Sequence, residues 1–408
     1  MKRYLLLSVF LIGLLFPASN ALAQRFLFDE GHNKGSLNFI LSNNIIIIPV
    51  YINNRGPFNF ILDTGVGPMI ITDPDLGSFL EKSNYPMYRM RGRGIGPEIE
   101  AYIINNLTTK IGQASISKLS GILLKNDPFH LSAYMGMTIH GIIGSNFFTS
   151  FIVRIDYINK KLSFFDTDNP PRKRGKRIPI KLIQDKPYVD ILINTENHEK
   201  DTLLLLLDTG AGHAISLDLA DDEKWITPKK TIVANLGVGL GGEINGLIGR
   251  MARVNFGKYS FKKVIASFPE YEDKNLRIIM TGRDGAIGGE ILKRFTVLID
   301  YSREELYLRR NKHFKAPFEH DMSGMEIYTV LEKTKRVLIS RIEPKSPAER
   351  AGFMVGDEIL SLNFIPIRSY SLDDINTLLQ KETKGSLIFE ISRKDQVLFK
   401  FLQLTRRI

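Results

Sequence analysis

Asp63-Thr64-Gly65 and Asp208-Thr209-Gly210 are the same three residues, and each string closes an apolar run, Phe58 to Leu62 in the first copy and Leu203 to Leu207 in the second. A short continuous apolar run before a Gly reads as a buried strand that delivers its last polar residue into a turn. An unpaired carboxylate at such a place is costly, because desolvation disfavours its charged form. Each Asp could cap its own turn. Average composition, however, predicts only about 0.1 such tripeptides in a chain of this length, so two copies in matching surroundings point to a pair. Two carboxylates brought face to face cannot both ionise cheaply and would share one proton, offering one base and one acid.

The surroundings do match. Gly141-Ile142-Ile143-Gly144 leads to Phe151-Ile152-Val153-Arg154-Ile155-Asp156-Tyr157, and Gly285-Ala286-Ile287-Gly288 leads to Phe295-Thr296-Val297-Leu298-Ile299-Asp300-Tyr301. One lobe is duplicated at an offset of 145 residues between the aspartates. Ile45 to Ile52 reads as a strand, Asn53-Asn54-Arg55-Gly56-Pro57 as the turn after it, and the Asp63 strand as the return of a hairpin. Gly92, Gly94 and Gly96 in the first repeat, and Gly237, Gly239 and Gly241 in the second, fall at comparable distances beyond the aspartates. They read as mobile hairpin tips and not as a phosphate loop, since no Walker lysine follows. Gly144 and Gly288 stand where only a glycine fits beneath the strand carrying the Asp.

Two Asp-Thr-Gly turns, each followed some 80 residues later by a hydrophobic-hydrophobic-Gly segment, resemble the bilobal aspartic proteases, with short lobes similar to retroviral-type protease units joined in one chain. The resemblance covers residues 36 to 310 and implies that Asp63 and Asp208 are the catalytic pair. It further implies that Thr64, Gly65, Thr209 and Gly210 lock the two turns together, and that the glycine-rich segments are flaps. The chain departs from the family two residues after each motif glycine. Gly67 and Gly212 replace the usual Ser, Thr or Asp, removing a side-chain hydrogen bond to each carboxylate.

Residues 1 to 23 read as a secretory signal peptide: Lys2 and Arg3, an apolar stretch from Leu5 to Phe16, and Ala21-Leu22-Ala23 as the cleavage site. The apolar stretch is shorter than the roughly 20 residues of a spanning helix, so no membrane span is expected in the mature chain, and a periplasmic or secreted location is. The 408 residues contain no cysteine, which excludes disulfides, thiolate metal sites and a cysteine nucleophile. No metal or other cofactor is implied. The net charge of +11 is partly local, in Pro170-Pro171-Arg172-Lys173-Arg174-Gly175-Lys176-Arg177. With no aromatics interleaved, this run reads as a solvated linker between lobes and not as a nucleic-acid surface.

The last 90 residues follow a different pattern. Ser346-Pro347-Ala348-Glu349-Arg350-Ala351-Gly352 predicts a one-turn helix with a capping box and a glycine stop. Gly356 to Asn363 turns into a strand, Ser371 to Leu379 is a second capped helix, and two alternating strands follow. The string from Ser346 to Asn363 resembles the core of PDZ domains. That resemblance implies a peptide-binding groove with Ser323, Gly324, Met325, Glu326 and Ile327 as carboxylate-binding loop and edge strand, and with the helix from Leu372 as the other wall. The usual Gly-Leu-Gly-Phe string is absent.

The expected architecture is mainly β: lobe 1 over 24–170, lobe 2 over 171–312, the two forming one pseudo-twofold unit, and an α+β PDZ domain over 318–408. The expected function is an exported aspartic endopeptidase acting on protein or peptide substrates through an activated water, with a PDZ domain that captures a C-terminal peptide or regulates access. The alternative is a protease-like scaffold that binds extended peptides and cuts weakly or not at all.

Overall fold

Two asparagines build the hairpin that carries the first aspartate. Asn53 and Asn54 both adopt positive φ, the mirror-image turn whose twist suits a two-residue hairpin, and the strand Ile45–Ile52 returns at once as Arg55–Leu62. The turn is therefore shorter than the sequence suggests, because Arg55, Gly56 and Pro57 already belong to the strand. A computed structural model of the chain describes residues 25–80, 85–90, 99–194, 200–218, 227–239, 242–270, 283–331, 334–382 and 385–408. The leader 1–23 and Gly92, Gly94, Gly96 and Gly241 lie outside the described residues.

The chain is mainly β. In the first lobe the strand Arg55–Leu62 lies between Ile45–Ile52 and the short strand Gly141–Ile143, the latter parallel, with Ile143 opposite Leu62. The second lobe repeats this: Lys200–Leu207 lies between Lys186–Asn194 and Gly285–Ile287, again parallel, with Ile287 opposite Leu207. The apolar runs have two faces to cover. Ile46, Ile48, Phe60 and Leu62 enter the main core, while Ile47 and Ile61 point the other way, onto Met135 and Ile139. A strand buried on both sides reads as a continuous hydrophobic run for this reason.

A third sheet joins the lobes. The repeated segments Ile152–Asp156 and Phe295–Asp300 pair antiparallel at its centre, Val153 opposite Ile299 and Ile155 opposite Val297. Lys161–Phe165 and Lys34–Asn38 flank them on one side, Glu305–Arg310 and Lys176–Pro179 on the other. The basic linker is pinned to this sheet, Lys173 Nζ lying 2.5 Å and Arg177 Nε 2.6 Å from Glu305. Arg172 and Arg174 close a basic cavity of about 490 Å³ with Arg154, Lys161 and Arg309 on the sheet's outer side, away from the aspartates.

The C-terminal unit has its own core, centred on Val337, Ile339, Ile359, Ile375 and Phe389. Its sheet runs Met325–Leu331, Lys335–Ile342, Glu358–Leu362, Leu387–Arg393, Gln396–Leu402, with Met325–Leu331 at the edge. Ser346 caps the helix Pro347–Arg350 by accepting from Glu349 N, yet the expected box does not close, because the Glu349 carboxylate accepts from Lys345 N instead. The complete capping box is at the next helix, Leu372–Leu379, where Ser371 and Asp374 each accept from the other's backbone amide.

Candidate active site

The parallel partner strand fixes each aspartate. Asp63 N donates to Ile143 O and Asp208 N to Ile287 O, both at 2.9 Å, so each Asp is aligned at the strand end and its side chain turns into the junction between lobes. Two threonines then tie the turns together. Thr64 Oγ1 donates to Leu207 O at 2.5 Å and accepts from Thr209 N at 3.1 Å, while Thr209 Oγ1 donates to Leu62 O at 2.8 Å and accepts from Thr64 N at 3.1 Å. Both threonines are buried, and every donor in this four-bond ring crosses from one repeat to the other.

The carboxyls meet across that ring. Asp63 Oδ1 accepts from Gly65 N at 2.6 Å and Asp208 Oδ1 from Gly210 N at 2.9 Å. A β-carbon at Gly210 would fall 2.3 Å from Asp63 Cγ, and one at Gly65 3.5 Å from Asp208 Oδ2. Gly210 thus admits the opposite carboxyl, and no side chain fits there. Burial, reinforced by the charge of Asp208 and a hydrogen bond to it, raises the Asp63 pKa well above the ordinary carboxylate range, against the pull of the Gly65 amide. The pair can therefore hold one proton and one charge.

Gly144 and Gly288 sit beneath the turns. A β-carbon at Gly144 would lie 2.1 Å from Asp63 O, and one at Gly288 2.5 Å from His213 O. The two positions that lack the family's hydroxyl are unlike each other. Gly67 has open space where a β-carbon would stand, and its carbonyl accepts from Ser145 Oγ at 2.7 Å. At Gly212 a β-carbon would meet Asn43 O at 2.2 Å, and Asn44 Nδ2 donates to the Gly212 carbonyl at 2.9 Å. The hairpin turn Asn43-Asn44 of the first lobe thus occupies the space beside the second aspartate's loop.

Of the glycines expected in flaps, Gly237 and Gly239 lie in the strand Thr231–Gly239, paired with Gly242–Phe256 through a bulge between Asn235 and Val238. Sequence reading passed over His213, the lone histidine five residues after Asp208. Burial lowers its pKa while Asp208 and Asp218 oppose the shift, and its Nε2 is enclosed without a hydrogen-bond partner. It also passed over Tyr301, buried and stacked on Phe148 with centroids 5.7 Å apart, whose phenol is pushed up by burial and by the charge of Asp63. The Asp-Tyr dipeptide at the end of both repeats was the available signal. Among the described residues no cluster of His, Asp and Glu is composed to hold a metal ion, and no helix is long and apolar enough to cross a membrane.

In the C-terminal domain the loop assigned to a terminal carboxylate is already engaged. Ser323 N donates to Asp321 Oδ1 at 3.1 Å, Gly324 N to Asp321 Oδ2 at 2.5 Å, and Met325 N to Ser323 Oγ at 3.1 Å. Met325 and Ile327 turn into the core, and Glu326 Oε2 lies 3.4 Å from Asn235 Nδ2 of the second lobe's hairpin.

No curated protein matches the chain. The family profile described as aspartyl protease matches residues 48–147, which span the Asp63 turn and the Gly141–Gly144 segment. The PDZ domain profile matches residues 338–393, from the second strand of the C-terminal sheet to its fourth. The mainly β chain thus matches an aspartyl protease domain over its first lobe and a PDZ domain at its C-terminal end.

Proposed function

We propose that the protein is an exported aspartic endopeptidase in which Asp63 and Asp208 hydrolyse peptide bonds with an activated water. The observation that carries this is the meeting of two carboxyls across the threonine ring, with Asp63 favouring the protonated form. Ionised Asp208 takes a proton from water as its oxygen attacks the carbonyl carbon, while Asp63 gives its proton to the carbonyl oxygen. The tetrahedral intermediate then collapses, Asp208 returning a proton to the leaving nitrogen and the new carboxyl restoring Asp63. Activity lies between the two macroscopic pKa values of the pair and falls on the alkaline side as the shared proton is lost.

Hydrolysis of a peptide mixture followed from pH 3 to 8 tests this reading. Asp63→Asn and Asp208→Asn should each lower the rate by about 10²-fold or more, and a chelator should change nothing; near-normal cleavage by either variant would sink the proposal. Gly67 and Gly212 favour the second reading, a peptide-binding scaffold, because neither supplies a side-chain donor to a carboxylate. Peptide binding without products at any pH would select it. Export through residues 1–23 predicts a mature chain beginning at Gln24 by mass spectrometry of the exported protein.

A further inference from the structure

The PDZ groove has two walls, the edge strand Met325–Leu331 and the helix Leu372–Leu379, and both touch the first protease lobe. The helix Leu131–Met135 packs against the strand and against the helix. Gly136, which ends it at φ +65°, makes the closest approach: a β-carbon there would stand 3.0 Å from Leu372 Cβ and 3.3 Å from Thr329 Oγ1. The Asn43 turn completes the docking. Asn43 N donates to Asp373 Oδ1 at 3.0 Å, Asn376 Nδ2 donates to Asn43 Oδ1 at 3.1 Å, and Asn43 Nδ2 reaches Tyr134 O at 3.3 Å.

This occupant fills the groove without matching it. Thr329 is 1 % exposed, and its hydroxyl has no hydrogen-bond partner, an arrangement that costs stability. Among the described residues no strand pairs with the free side of Met325–Leu331. An extended peptide could satisfy both by adding as a strand, but only where Gly136 and Asn43 now stand.

The docked pieces lead directly to both aspartates. Met135 and Ile139 pack on Ile47 and Ile61, and Ile61 lies two residues before Asp63. Next to Asn43, Asn44 holds the Gly212 carbonyl beside Asp208. The PDZ domain also holds the second lobe's hairpin, Arg341 Nη1 donating to Asn245 Oδ1 at 3.1 Å.

We propose that the PDZ groove is a latch closed in cis by the Leu131–Gly136 segment and the Asn43 turn. An extended peptide entering the groove expels them, and their release loosens the supports of both aspartate turns and lowers peptide hydrolysis. The proposal rests on the hydrolytic reading above and adds its regulation.

Asp373→Ala with Asn376→Ala removes two docking hydrogen bonds of about 1 kcal/mol each, shifting the docking equilibrium by about 30-fold. In the full chain the release variant should show faster amide exchange over Met325–Leu331 but not over Phe295–Asp300, and severalfold slower cleavage of a short blocked peptide. Faster exchange with unchanged or increased cleavage would overturn the latch, as would unchanged exchange in the release variant. If no form cleaves peptide at any pH, the hydrolytic reading falls and takes the latch with it.

Discussion

Asp63 is held in a form that suits chemistry at the expense of stability. Its folded pKa lies well above the ordinary value because of burial and the neighbouring Asp208, so the native state binds this proton more tightly than the unfolded chain does. Stability from this group is fully present below the unfolded pKa of about 3.9, and falls as pH rises from there through the raised folded pKa. Asp63→Asn keeps a hydrogen-bonding side chain and removes the ionisation. It should therefore raise the melting temperature at pH 7 and leave it nearly unchanged at pH 3. Thermal unfolding at the two pH values measures the difference, and an equal shift at both would show that the carboxyl's ionisation is not the source.

At the scale of elements, the two turns are bound to each other by a ring of four hydrogen bonds. Thr64 and Thr209 each donate to the carbonyl at the end of the opposite strand and accept the opposite amide. Replacing either by Val leaves a buried carbonyl and a buried amide without partners, at a cost of about 1–3 kcal/mol for each stranded group. Because the two residues share one ring, Thr64→Val with Thr209→Val should cost less than the sum of the singles, with a coupling of about 0.5–3 kcal/mol in a double-mutant cycle. Additive effects by urea denaturation would mean that the ring does not act as a unit.

In the whole molecule the lobes are not separable bodies. The central sheet takes Lys34–Asn38, Ile152–Asp156 and Lys161–Phe165 from one repeat and Lys176–Pro179, Phe295–Asp300 and Glu305–Arg310 from the other. Cutting between them would expose the paired edges of Ile152–Asp156 and Phe295–Asp300, whose side chains Val153, Ile155, Val297 and Ile299 are fully buried. Residues 24–170 and 171–408 expressed separately should each be inactive and prone to aggregate. Produced together they should recover cleavage, with one copy of each half in the complex by native mass spectrometry. A half that cleaves as a self-pair would show that the pseudo-twofold contact can be replaced.

Sequence alone determined the duplication, because a repeated Asp-Thr-Gly after an apolar run and a repeated Φ-Φ-Gly segment are local patterns whose spacing survives in the chain order. It also marked the capped helices of the PDZ domain, since caps depend on residues three apart. The capping box at Ser346 was misread because the Glu349 carboxylate accepts from the Lys345 amide, one residue before the expected Ser346, where the backbone has positive φ, which no pattern announces. Gly92, Gly94, Gly96 and Gly241, read as hairpin tips from their spacing, lie outside the described residues. What tertiary structure decided were contacts between residues far apart in sequence. Gly212 reads as a lost hydroxyl until Asn43, 169 positions earlier, is seen to fill its space. The PDZ groove reads as open until Gly136 and Asn43 are found between its walls. Such contacts arise from how preformed elements pack, and the residue types involved, glycines and asparagines in hairpin turns, carry no signal of the partner they meet.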